Sequence, residues 1–313
     1  MKRSSFLNLI LLILAFSVLK AEVFAASTED AANAFSSGDY KRAHETWSEL
    51  ADKGDPEAQN NLGWLYMTGL GVQQDYRKAV EWFYKSAEQG YAGGQNNLGE
   101  MYFNGLGVKK DDSEAIIWYR RAAEQDFAPA QHNLAAMYIE GRGTGQSLSN
   151  ALEWYRKAAD QGYVKSQLAI GKMYASGKGL PKDYHNALKW FHKAAEQEQV
   201  GRDEAQYCIG LMYIYGWGVK QSRDEAIGWF LKAAEYGHAE ALASLSQLSE
   251  SDIESYKWAF LATNRGYVKA QKILDAYRQV LSISQIEQAE SEAREWILDH
   301  KNSFETPAGV KLK

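Results

Sequence analysis

Residues 55–90 read DPEAQNNLGWLYMTGLGVQQDYRKAVEWFYKSAEQG, and the chain repeats that pattern, with variations, four more times. Trp82, near its end, recurs as Trp118, Trp154, Trp190 and Trp229 at spacings of 36, 36, 36 and 39 residues. Each of these tryptophans lies eleven residues beyond a Gly-x-Gly. A period of this length marks stacked supersecondary units, none of which can bury its own apolar face without a neighbour. The expected fold is therefore all-α, an α/α superhelical solenoid of helix-turn-helix repeats at 55–90, 91–126, 127–162, 163–198 and 202–237.

Inside the first unit, Ala58, Leu62, Leu65 and Tyr66 fall at helical spacings and form one apolar stripe, which defines a helix A. Gly69 and Gly71 close it, because glycine adopts the left-handed conformation without a side-chain clash. Asp75 then sits where a helix N-cap belongs, and its column is Asp111, Ser147, Asp183 and Ser222 in the later units, each able to accept from free amides at the start of a helix B. Asp111 with Glu114, and Ser222 with Glu225, have the spacing of reciprocal capping boxes. Helix B carries Ala79, Val80, Trp82, Phe83, Ser86 and Ala87. A side chain repeated at one column in every unit answers the same packing demand each time, so the five tryptophans are assigned to the core between repeats rather than to a ligand.

The pattern Ala-x-x-x-Leu-Gly-x-x-Tyr, Gly-x-Gly-Val, Asp-x-x-x-Ala-x-x-Trp, Lys-Ala-Ala-Glu resembles the Sel-one-like repeat (SLR), a longer-looped relative of the tetratricopeptide repeat (TPR). The resemblance spans residues 55–237. It departs at Ala135, which replaces the glycine after leucine, at Thr144 and Leu180 in the valine column, and at three extra residues around Gln199 to Gly201. The resemblance implies a concave groove lined mainly by helix A. Its rows run Asn60, Asn96, His132, Leu168, Tyr207, then Trp64, Glu100, Ala136, Lys172, Leu211, then Met67, Phe103, Ile139, Ala175, Ile214, beside a row ending in Tyr215. Ten of these residues, Asn60, Trp64, Met67, Asn96, Glu100, Phe103, His132, Lys172, Tyr207 and Tyr215, form the expected partner-binding set. Amides suit an extended peptide backbone, and exposed aromatics suit its apolar side chains.

Flanking segments read differently. Lys2 and Arg3 precede an apolar run from Phe6 to Leu19, and Val23-Phe24-Ala25 ends in a small residue, so 1–25 are expected to be a cleaved signal peptide and the protein an exported one, periplasmic or secreted. The run is short of the roughly 20 apolar residues that span a bilayer. Residues 26–54 read as a TPR-like capping helix pair, with Ala43, Trp47 and Ala51 as its packing stripe. Residues 238–302 read as a repeat that lost its glycine loop, keeping Trp258 and Gly266, followed by capping helices, the last begun by a Ser284–Glu287 capping box. A flexible tail is expected at 303–313.

Composition narrows the function. The 313 residues carry 35 lysines and arginines against 40 aspartates and glutamates, a net charge of −5, and show no basic stripe of the kind nucleic acid needs. Cys208 stands alone, in a column held elsewhere by Asn61, Asn97, Asn133 and Ala169, and is read as a small packed side chain. Gly141-Arg142-Gly143-Thr144-Gly145 falls in a helix A to helix B connection and lacks the strand that precedes a phosphate loop. Six scattered histidines are read as surface residues; His185 and His192 stand about 10 Å apart on one helix, too far to share a metal unaided. No catalytic residue, cofactor or metal is assigned. The expected role is an exported, non-enzymatic adaptor that binds a protein or peptide, as the resemblance also implies from relatives in signalling and quality control. Its alternatives are a β-lactam or cell-wall-fragment binder with weak hydrolase activity, as linked to cysteine-rich exported relatives, or a structural spacer in an envelope complex.

Overall fold

A computed structural model describes residues 28–198 and 200–300 of the chain. The expected signal peptide and tail lie outside the described residues. Contacts divide the chain into two compact units, one ending at Ala158 and one beginning at Ala159. The first contains α1 (residues 28–36), α2 (Tyr40–Asp52), α3 (Pro56–Thr68), α4 (Tyr76–Glu88), α5 (Ala92–Asn104), α6 (Asp112–Ala123), α7 (Ala128–Glu140) and nearly all of α8 (Leu148–Asp160). The second contains α9 (Val164–Ser176), α10 (Tyr184–Ala195), α11 (Arg202–Tyr215), α12 (Arg223–Glu235), α13 (Ala239–Leu248), α14 (Asp252–Asn264), α15 (Ala270–Tyr277) and α16 (Ile283–Asp299). Every regular element among the described residues is a helix, so the all-α reading holds.

Each repeat is punctuated as its chemistry requires. Helix α3 ends at Gly69, whose φ of 76° is left-handed and whose amide donates to the Leu65 carbonyl at 2.8 Å. Asp75 caps α4, accepting from the Arg77 and Lys78 amides at 3.0 and 3.1 Å, and Asp111, Ser147, Asp183 and Ser222 cap later B helices in the same way. Substituting such a cap with alanine costs about 1 kcal/mol.

The two capping boxes expected inside the repeats form only by half. The amide of each cap residue already donates to the helix A tyrosine before the loop, Asp111 to Tyr102 at 3.0 Å and Ser222 to Tyr213 at 3.1 Å, so Glu114 and Glu225 find no donor there. A full capping box does begin α16, but at Ser282 and Gln285 rather than Ser284 and Glu287. Ser282 holds the extended backbone of a cap, whereas Ser284 already lies in the first turn.

Within a repeat, the aromatic after the tryptophan fills the seam between helices A and B. Phe83 and Phe230 are fully buried, and Tyr119, Tyr155 and Phe191 nearly so, which stabilises each seam by about 1.5–3 kcal/mol. The glycine after leucine exists for this ring: a Cβ at Gly63 would stand 2.7 Å from Phe83 Cδ1. The tryptophans are less deep than the assignment to a core suggests. Only Trp118 is buried; Trp82, Trp154, Trp190 and Trp229 keep one side toward solvent. A basic residue one turn on covers that side, with Lys85, Arg121, Lys157, Lys193 and Lys232 at 3.8–4.4 Å from the ring centroids.

Candidate functional site

Helix A is keyed to the helix before it by a glutamine. Gln59, Gln95 and Gln131 donate through Nε2 to the carbonyls of Ala51, Ala87 and Ala123 at 3.1–3.2 Å, and in the second unit Gln167 donates to Ala159 at 3.2 Å. Gln89 and Gln125 then cap the key from the far side, donating to Gln59 and Gln95 at 2.8 and 2.7 Å. This fixes the rotation of α3, α5, α7 and α9 about their axes, and so decides which of their residues face outward.

In the first unit that rotation builds a relay of five asparagines. Asn133 donates to Asn96 at 3.0 Å, Asn96 to Asn97 at 3.3 Å, Asn97 to Asn60 at 2.8 Å and Asn60 to Asn61 at 3.2 Å, all side chain to side chain. The relay crosses α7, α5 and α3. Two expected site residues, Asn60 and Asn96, therefore belong to one hydrogen-bonded line. Asn96 is buried, 7% exposed, and so is Leu168 in the same column, at 6%; that row is not the uniformly exposed one expected, because its amides bridge neighbouring helices.

The relay ends at a cavity of about 330 Å³ between α1, α2 and α3, lined by Phe35, Trp47, Asn60, Asn61 and Trp64. Phe35 meets Trp64 edge-on at 5.4 Å and Trp47 at a tilt at 5.7 Å. Among the described residues, Asn61 Nδ2 has no acceptor, and the buried indole N–H of Trp47 has none either. Asn61 Nδ2 is thus a donor open to an acceptor entering the cavity, whereas the Trp47 N–H is closed off by its neighbours. Asn60 and Trp64 were legible as candidates. Phe35, Trp47 and Asn61 were not: Trp47 read only as a packing stripe, and Asn61 as one of a small-residue column.

The other expected residues of this unit have neighbours of their own. Met67 packs against the buried cluster that contains Phe83, Leu98 and Met101. The Phe103 ring lies under the Arg142 guanidinium at 3.8 Å, which in turn pairs with Asp112 at 2.6 Å and Glu140 at 3.7 Å. The glycine-rich run at 141–145 thus presents a loop whose one cation is already held by protein. Glu100 is exposed, and His132 leans on the Tyr155 ring at 5.2 Å.

In the second unit, Lys172 and Tyr207 come together through residues the sequence did not single out. Glu204 accepts from Lys172 and from His238, both at 2.9 Å, and Tyr207 stacks on the His238 ring at 4.7 Å. The His238 hydrogen bond, followed by Lys172, holds the Glu204 carboxyl down at about 2. His238 is buried at 7% exposure, against the surface reading, because it caps α13, accepting from the Ala241 amide at 3.2 Å. Beside this network burial pushes the Cys208 thiol up to about 12, which suits a packed rather than a reactive cysteine. Tyr215 stands elsewhere in the unit, 58% exposed, stacked on Trp217 at 4.6 Å, which stacks on Tyr184 at 5.4 Å.

Comparisons with known proteins fit this architecture. The Sel1 repeat family model matches residues 56–91, 92–127, 128–163, 164–198 and 203–238. The crystal structure of a Sel1 repeat protein from Oxalobacter formigenes is 32% identical, covering 80% of this chain and 96% of that one, with a TM-score of 0.64. A protective antigen with an SLR fold from uropathogenic Escherichia coli is 23% identical over 94% of this chain and 90% of its own, with a TM-score of 0.34. The immunity protein Pa5087 from Pseudomonas aeruginosa is 20% identical over 76% and 83%, with a TM-score of 0.46. No curated protein matches the chain.

Proposed function

Since the chain belongs to the Sel1 repeat family, a scaffold of tandem helix pairs, we propose that it is an exported adaptor whose first unit holds a segment of another protein along helices α3 and α5. The observation that carries this reading is the aromatic cavity at the end of the asparagine relay. Phe35, Trp47 and Trp64 offer rings to an apolar side chain. Asn61 Nδ2 offers a donor to a carbonyl of the guest. A small number of placed polar groups within an apolar wall is the usual make-up of a specific pocket. Glu100, exposed on α5, extends the surface beyond the cavity.

Export is supported by the residues themselves: a basic start at Lys2 and Arg3, an apolar run, and Ala25 before the expected cut. The adaptor reading calls for no chemistry by the protein itself.

The test is affinity capture from envelope extract with the mature chain as bait, alongside a Phe35→Ala/Trp64→Ala variant. The variant is expected to lose a discrete protein that the parent retains, while its helical circular dichroism is unchanged. Retention of the same protein by both baits moves the interface away from α1 and α3, and capture of none by either supports the spacer reading.

A further inference from the structure

In the first, second, third and fifth repeats the glycine loop lies on the first turn of the second helix of the pair before. A Cβ at Gly107 would collide with the Tyr76 carbonyl at the start of α4, and one at Gly218 would stand 2.8 Å from Tyr184 at the start of α10. The apolar residues of the loop follow it down: Leu106 and Val108 join Tyr76 and Val80 in one cluster, and Val219 joins Tyr184 and Leu188 in another. The sixth unit breaks the rule. Trp258 follows Trp229 by 29 residues instead of 36, so seven are missing, and α13 runs into α14 through residues 249–251 alone. The first turn of α12 is left without the loop that would cover it. A cavity of about 270 Å³ lies there, with Ile227, the counterpart of Val80, on its wall together with Arg223, Asp224, Leu248 and Trp258.

We propose that this seat is a second binding site, for a short segment of another protein that carries a large apolar side chain beside a lysine or arginine. The apolar half follows from the seat itself, whose counterparts are filled by Leu106 and Val108 over α4 and by Val219 over α10. The basic half follows from charge. Arg223 is engaged by Glu250 at 3.4 Å and by the Leu248 carbonyl. Asp224 and Glu254, which line the same cavity as Arg223, form no ion pair among the described residues. An entering basic residue is matched by these two carboxylates, and an acidic one is repelled. The site involves none of the residues of the proposed site in the first unit.

The test uses the mature chain and two synthetic peptides, each copying residues 102–108 (Tyr-Phe-Asn-Gly-Leu-Gly-Val), one extended by two lysines and the other by two glutamates. Titration followed at the tryptophan indole N–H signals is expected to show saturable binding, at least tenfold tighter for the lysine peptide. Asp224→Lys/Glu254→Lys, at exposed positions, is expected to reverse that order. Trp64→Ala leaves it unchanged, which separates this site from the one in the first unit. Inserting the seven missing residues between Leu248 and Ser249 is expected to abolish binding. The proposal is overturned if neither peptide saturates below about 1 mM, the range of non-specific contact, if both bind alike, or if the charge-reversed chain keeps the original preference.

Discussion

Replacing Tyr236 with glutamine should stabilise the protein. In the first two repeats a glutamine thirty residues after the key, Gln89 or Gln125, donates to the key's carbonyl at 2.7–2.8 Å. Tyr236 occupies that column after Gln206, and Gln206 Oε1 is buried without a hydrogen bond. The tyrosine hydroxyl accepts from Arg202 instead, at 2.5 Å. Supplying the missing donor is worth about 1–1.5 kcal/mol net. The exposed Arg202 contact that is lost, including its cation–π component at 5.2 Å, is worth about 0.5 kcal/mol. Tyr236→Gln should therefore gain about 0.5–1 kcal/mol, or about 2 °C in thermal midpoint for a chain of this size. Urea titration of the parent, Tyr236→Gln, Gln206→Met and the double variant closes a cycle, and the gain should vanish when Gln206 is absent. An equal gain with and without Gln206, or no gain at all, refutes the pairing of these two columns.

Asn97→Leu, which cuts the middle of the relay and leaves Asn60 and Asn96 short of partners, should cost about 2 kcal/mol in urea unfolding; a cost below about 0.5 kcal/mol would mean the relay is incidental. Glu204 is depressed in the folded state, so its stabilising effect is present above its ordinary value of 4.5 and is lost as pH falls toward about 2. Thermal midpoints should fall more steeply over that window in the parent than in Glu204→Gln, and parallel curves would contradict the His238 and Lys172 pairing. Cys208 should resist a thiol reagent at pH 8 and react once denaturant is added, since burial raises its pKa to about 12; rapid labelling of the native protein would place it elsewhere.

The fold was legible because its determinants are local. Gly69 needs a left-handed backbone, Asp75 needs free amides, and Phe83 needs the space that Gly63 leaves, and each of these is written within one repeat. What was illegible depends on distances between repeats. Asn60 and Asn97 meet only because the glutamine keys set the rotation of α3 and α5, so residues that read as an exposed row are partly consumed in holding the row together. The failed capping boxes have a similar cause: the Asp111 amide has two possible acceptors, and the Tyr102 carbonyl takes it. The buried His238 could have been suspected, since three of the five residues in its column, Tyr91, Phe127 and Tyr163, are half-buried rings, the others being Asp55 and Arg202. The cavity beside Trp64 could not, because it requires the placement of Phe35 on a capping helix that carries no repeat signature.

The most direct measurement of the adaptor reading is site-specific photo-crosslinking in envelope extract, with a benzophenone side chain placed at exposed Ser36 on the rim of the cavity and, in a second chain, at exposed Tyr84 on α4. The account predicts a discrete cross-linked species from position 36 and none from position 84. A product from position 84 alone would contradict it.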